Sequence, residues 1–191
     1  PTVSQTYGFK PIQRLDGLPY AGAIRQIPIS SGYATAILNG DTVAIWEAFD
    51  GAGYVVQVAV SHDQGVTWNP AQSLTAVGDH TEAANVVVTG SGVMVAFWQL
   101  FVSSGGSEIH EVQMSRSTDG GATWSSAVTI SDNSYTFDLP VMAASGSNTL
   151  ILAGQDMFGI HVRTSADAGI TWSAFQEMTG GSVLDKMPQV G

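Results

Sequence analysis

The sequence predicts an all-β protein made of about three units of four antiparallel strands. Three observations carry that reading. An octapeptide frame, S-x-D-x-G-x-T-W, occurs at residues 61–68, 117–124 and 165–172. The runs around it alternate apolar and polar residues with the period of two that a half-buried strand requires. No stretch carries the 3.6-residue apolar stripe of an amphipathic helix.

In chain order, residues 1–30 come first. Gly and Pro are dense in Tyr7-Gly8-Phe9-Lys10-Pro11 and Leu15-Asp16-Gly17-Leu18-Pro19-Tyr20-Ala21-Gly22, which reads as an extended arm. Residues 31–180 hold the three units. In the first, β-like runs over 33–38 and 42–49 flank Asn39-Gly40-Asp41, a hairpin signal. A third run places Tyr54, Val56, Val58 and Val60 on one face and Val55, Gln57 and Ala59 on the other. The second unit repeats this with runs over 84–89 and 93–101 around Gly90-Ser91-Gly92, and the third with 140–144 and 149–154 around Ser145-Gly146-Ser147-Asn148. A fourth run follows each octet Trp, such as 125–130.

The octet itself reads as the turn between the third and fourth strands. Asp folds its carboxylate onto main-chain N–H groups two residues on, Ser caps the same turn, and Gly supplies a positive φ. Thr and Trp restart a strand, with the indole left to cover an apolar seam. Octet starts lie 56 and 48 residues apart, the length of a β-propeller blade. Residues 181–191 contain Asp185-Lys186-Met187-Pro188-Gln189-Val190, similar to Asp138-Leu139-Pro140-Val141 at the start of the third unit. They read as the start of a further blade or a closing strand.

Composition excludes several function classes. Sixteen acidic against six basic residues give a net charge of −10 in 191 residues, and such a surface repels a phosphate backbone, so no nucleic-acid partner is expected. Cysteine is absent, which removes disulfides, thiolate catalysis and Cys-bound zinc. No apolar run approaches the ~18 residues of a spanning helix, so membrane insertion is not expected. Only 12% of residues are charged and 22 are glycine, a balance typical of all-β proteins outside cells or on particle surfaces. His110-Glu111 lacks the second His of a zinc helix, and His62, His80 and His161 have no ligand spacing, so neither a metal nor another cofactor is expected.

The three octapeptides resemble the Asp-box, or BNR repeat, of sialidase-like β-propellers, where the box joins the third and fourth strands of a blade. The resemblance covers roughly residues 25–180 and implies sialidase-like blades, about three of them, in a partial or assembled propeller. It implies a structural role for Ser61, Asp63, Gly65, Trp68, Ser117, Asp119, Gly121, Trp124, Ser165, Asp167, Gly169 and Trp172, on a rim away from the family's active site. The arm resembles N-termini of tailed-phage virion structural proteins. Together these imply a non-catalytic Asp-box propeller on a virion or extracellular surface, with carbohydrate as a ligand. The alternative is the N-terminal part of a sialidase-like glycoside hydrolase.

Under that alternative the family's first arginine would be Arg25, in Arg25-Gln26-Ile27-Pro28, which carries Gln26 as an insertion in the family's R-I-P motif. Its acid would be Asp50, eleven residues before Ser61. Only Arg14, Arg25, Arg116 and Arg163 exist to form an arginine cluster, and no Tyr–Glu pair stands at a matching place, so the chain is expected to show no sialidase turnover by itself. Ligand-contact candidates are Glu82 and Asp138, at the starts of successive first strands nearest a propeller axis, with Asp185 in the same pattern. They suit a cation or sugar hydroxyls, or else a solvated rim. Tyr20, Tyr135 and Phe158 stand on loops and complete the set. Trp46 and Trp98 share a second-strand register, which suits inter-blade packing, with a sugar-stacking platform as the alternative. Three blades leave two open faces, exposing residues such as Val86, Val88, Val141 and Ile151. The expected partner is a second copy, or a neighbouring virion or precursor subunit.

Overall fold

The computed structural model describes residues 33–38, 40–104, 107–131, 137–156 and 159–178. They form three four-stranded antiparallel sheets, each built from strands consecutive in the chain. The first holds β1 (Tyr33–Leu38), β2 (Asp41–Phe49), β3 (Tyr54–Ser61) and β4 (Gln72–Ser73). The second holds β5 (Thr81–Val88), β6 (Met94–Ser104), β7 (Ser107–Ser117) and β8 (Val128–Thr129), and the third β9 (Asp138–Ser145), β10 (Thr149–Asp156), β11 (Gly159–Ser165) and β12 (Gln176–Glu177). Each sheet is one blade of a partial propeller. The arm (1–30) and the segment 181–191 lie outside the described residues.

The first hairpins close where the sequence places them, with Gly40, Gly92 and Gly146 at φ 98°, 90° and 58°. The fourth strands are shorter than expected: only two residues pair in each. Side-chain hydroxyls take over the rest of that edge. Thr75 Oγ1 accepts from the Val56 N–H at 2.9 Å, Ser125 Oγ from Arg116 at 3.0 Å, Ser131 Oγ from Val112 at 2.9 Å and Ser173 Oγ from Thr164 at 3.0 Å. A ladder satisfied by serine and threonine side chains leaves little regular edge strand to assign.

Blades pack face to face, and each seam follows from strand alternation. Val43, Ile45, Val56, Val58 and Val60 of blade 1 meet Ala84, Val86, Met94, Ala96 and Trp98 of blade 2. The opposite face of blade 2, with Val95, Phe97, Val112 and Met114, meets Phe137, Met142, Leu150 and Leu152 of blade 3. Two expectations change here. Val86 is buried and Val88 packs against the first seam, so neither lies on an open face, whereas Val141 and Ile151 are half-exposed on the far side of blade 3. Trp98 is wholly buried in the seam, so it cannot serve as a sugar platform. Trp46 shares its register, pairing with Gln57 as Trp98 pairs with Gln113, and is half-buried. Blade 3 has Gly154 in this register because Phe137 fills the space a Cβ would need.

The octets form three near-identical turns, with a wiring that differs from the expected one. Ser61 Oγ donates to Asp63 Oδ1 at 2.8 Å and accepts from the Gly65 N–H at 2.7 Å. Asp63 reaches four residues on, not two: Oδ1 accepts from Thr67 N–H and Oδ2 from the Thr67 hydroxyl, both at 2.7 Å. Ser117, Asp119 and Thr123 repeat this, as do Ser165, Asp167 and Thr171. The backbone also holds two successive left-handed residues rather than one. Gln64, Gly120 and Ala168 have φ 61°, 71° and 55° before Gly65, Gly121 and Gly169 at 84°, 85° and 88°. Trp124 packs against the seam between blades 1 and 2, and Trp172 against that between blades 2 and 3.

Those hydrogen bonds favour the charged carboxylate. The Thr67 N–H, then its hydroxyl, lower Asp63 from 3.8 to about 2, and the Thr123 and Thr171 hydroxyls lead the same shift to about 2 at Asp119 and Asp167. A carboxyl depressed in the folded state contributes stability above its unfolded value and loses it as pH falls through the folded one. The urea midpoint should therefore be steady from neutral pH down to about 5 and fall between about 4 and 2. Replacing all three aspartates with Asn should flatten that fall. An unchanged slope in the triple variant would separate these turns from the acid sensitivity.

Candidate functional site

Each third strand runs from a hairpin at one end of its blade to an octet at the other. An eight-residue strand puts the two ends roughly 26 Å apart. The hairpin end also receives the leads into the first strands, and there a row of rings crosses from blade 1 to blade 2. Phe49 and Tyr54 lie 5.4 Å apart by ring centroids, Tyr54 and His80 6.4 Å, His80 stacks on Phe101 at 4.6 Å, and Phe101 tilts against His110 at 4.3 Å. Backbone bonds fix the row: Phe101 N–H donates to His80 O at 2.9 Å, and Thr81 Oγ1 donates to Tyr54 O at 2.7 Å. Phe49 is 64% exposed, and Val77, in the lead to β5, is 84% exposed.

The row ends on a polar group. His110 Nδ1 lies 2.5 Å from Asp138 Oδ1, and Gln99 Nε2 donates to that same oxygen at 2.9 Å. His110 Nε2 faces Glu108 Oε1 at 3.3 Å. Asp138 reaches this position through a bulge. Leu139 sits at φ 49°, and Leu139 and Pro140 together oppose Gly154 alone, which turns the start of β9 toward blade 2. Blade 2 uses the same device, with Ala83 at φ 56° and Ala83 and Ala84 opposing Trp98. Glu82 pairs in register with Gln99, whose side chain continues to Asp138, so Gln99 stands between the two predicted carboxylates.

Asp50 is placed on the β2–β3 hairpin, as the sequence suggests, but its carboxylate is committed. Oδ1 accepts from Ala52 and Gly53 N–H at 2.8 and 2.9 Å, and Oδ2 from Gly78 N–H at 2.7 Å. The Gly53 N–H first, then those of Ala52 and Gly78, hold its pKa below the usual carboxylate value. Asp156 Oδ1 likewise accepts from the N–H three residues on, that of Gly159, at 3.0 Å. A side chain so held fixes the hairpin. Arg25, Tyr20, Tyr135 and Phe158 lie outside the described residues. Among the described residues, no group of three or more His, Asp or Glu is placed to hold a metal ion.

Sequence reasoning passed over Gln99, Phe101 and Glu108, and weighed His80 and His110 only as metal ligands. A signal was available: Tyr54, His110 and Phe158 each stand seven residues before an octet Ser, so a ring recurs at one place in the repeat.

No family model matches the chain, and no curated protein does. Solved structures do. A leech intramolecular trans-sialidase, complexed with 2,7-anhydro-Neu5Ac, aligns with a TM-score of 0.62 and 10% identity over 88% of this chain and 46% of its own. The Hadza microbial sialidase Hz136 aligns with a TM-score of 0.57 and 18% identity over 75% and 37%. An alpha-L-arabinanase of Penicillium chrysogenum, complexed with arabinobiose, gives 0.54 and 16% over 82% and 51%. The fold is that of a sialidase-like β-propeller, shared with other carbohydrate-active enzymes. The chain spans between about a third and a half of the length of these structures.

Proposed function

We propose that the chain is part of a carbohydrate-active β-propeller, the N-terminal part of a glycoside hydrolase, and that it holds carbohydrate at the hairpin end of blades 1 and 2. One observation carries the reading: the ring row from Phe49 to His110 runs directly into the Asp138–Gln99–His110 group. A sugar needs both parts, an aromatic surface for its C–H face and fixed acceptors and donors for its hydroxyls. The fold likeness supports it, since the matched sialidases and the arabinanase are named for action on sugars. The virion-surface expectation draws on residues 1–30, outside the described residues, and has no comparable support.

Titration with sialosides, arabino-oligosaccharides and manno-oligosaccharides, followed by calorimetry, tests the proposal. Saturable binding of one class is expected, weakened at least about tenfold by Phe101→Ala and by Asp138→Asn, each removing one half of the contact. Val66→Ala, at the octet end, should leave it unchanged. No binding by any class, or binding indifferent to Phe101 and Asp138, would overturn it.

A further inference from the structure

The second strands of the three blades carry a polar residue in one register. Glu47 pairs with Val56, Gln99 with Val112 and Gln155 with Ile160, each at the place where an otherwise apolar face turns polar. In the first two blades this side chain reaches forward into the next blade's first strand. Glu47 Oε1 accepts from the Ala84 N–H at 2.9 Å, and Gln99 Nε2 donates to Asp138 Oδ1 at 2.9 Å. Gln155 holds the same register position on blade 3, and among the described residues its buried Oε1 has no hydrogen-bond partner. A buried amide oxygen left unpaired costs free energy that a partner would recover. The face around it is apolar: Val141, Ala143, Ile151, Ile160 and Val162 are half-exposed on the side that in blades 1 and 2 is covered by the next blade.

The sequence supplies an occupant at the right distance. Glu82 follows Ser61 by 21 residues and Asp138 follows Ser117 by 21, and in both cases that acidic residue is one of the first two of the next first strand. Asp185 follows Ser165 by 20 residues and stands in Asp185-Lys186-Met187-Pro188, beside the Asp138-Leu139-Pro140 pattern. We infer that residues 181–191 of the same chain dock on the open face of blade 3 as the first strand of a fourth blade, with Gln155 Nε2 donating to Asp185 as Gln99 Nε2 donates to Asp138, and Gln155 Oε1 accepting a main-chain N–H of that strand as Glu47 Oε1 accepts the Ala84 N–H. The inference is independent of any sugar binding.

The chain has no cysteine, so paired cysteines report proximity without background. In the full chain, Gln155→Cys with Asp185→Cys should be linked within one molecule by a short bis-maleimide, as Gln99→Cys with Asp138→Cys should be. Linkage only between two chains would overturn the inference in favour of a second copy. So would failure to link while the Gln99–Asp138 pair links. A second measurement does not depend on cysteines. Gln155→Glu sets two carboxylates together, so it should destabilise the chain, and Asp185→Asn in that background should restore about fivefold in the unfolding equilibrium constant. No restoration would overturn the pairing.

Discussion

Gly121→Ala is expected to destabilise the protein by about 2–5 kcal/mol, while the same change at Gly65 costs about 1–2 kcal/mol. Both glycines hold equivalent octet positions at nearly the same left-handed φ, so the backbone strain of a Cβ is shared. Their surroundings differ. A Cβ on Gly121 would overlap Val60 Cγ2 and crowd Val60 Cβ, in the buried seam between blades 1 and 2. A Cβ on Gly65 meets only its own octet's Trp68 ring at 3.7 Å. Val60 is β-branched and its neighbours are buried, so the overlap is relieved only by moving a blade or distorting the turn, which adds the cost of overpacking. Gly169→Ala should fall between the two, because the atom it meets is the end of the flexible Met114 side chain at 2.7 Å. Urea denaturation of the three variants checks the order. Equal costs at Gly65 and Gly121 would mean that the octet glycine answers to the turn alone and not to the blade behind it.

That contrast shows how much the sequence discloses. The frame S-x-D-x-G-x-T-W marks a glycine turn, and the period-two runs mark the strands, because both are local physics repeated three times. Nothing local distinguishes Gly121 from Gly65; the difference lies in Val60, 61 residues away. The left-handed Gln64 and Ala168 were hidden for the opposite reason. Neither residue type advertises a positive φ, and the turn imposes it through Ser and Asp side chains that hold the amides of the Gly and Thr that follow. The candidate site was half legible. Asp138 stood out as a carboxylate at a repeated strand start, but its partners Gln99 and His110 come from another blade, and only the Leu139 bulge brings them together. Asp50 stands on the hairpin with two local amide partners, Ala52 and Gly53, yet its third, the Gly78 N–H, depends on how 76–79 folds back, which spacing does not encode.

Trp98→Ala is expected to cost about 3–5 kcal/mol, against a clearly smaller loss for Trp46→Ala. The two indoles occupy one register of neighbouring blades, so strand propensity and local pairing are matched. Trp98 is completely buried between Val43, Ile45, Val56 and Val58 on one side and the β-strands of its own blade on the other. Truncation would leave a cavity at the centre of that seam, lined by short branched side chains that cannot collapse to fill it. Trp46 is half-buried, so part of its lost surface is already in water and the cavity term is smaller. Among the described residues the indole N–H of Trp98 has no hydrogen-bond partner, which leaves packing as its contribution. Trp98→Phe should therefore recover most of what Trp98→Ala loses. Chemical denaturation of Trp98→Ala, Trp98→Phe and Trp46→Ala, followed by far-UV circular dichroism, separates these effects. If Trp46→Ala proves as costly as Trp98→Ala, or if phenylalanine recovers nothing, then Trp98 acts through something other than apolar volume in the seam between blades 1 and 2.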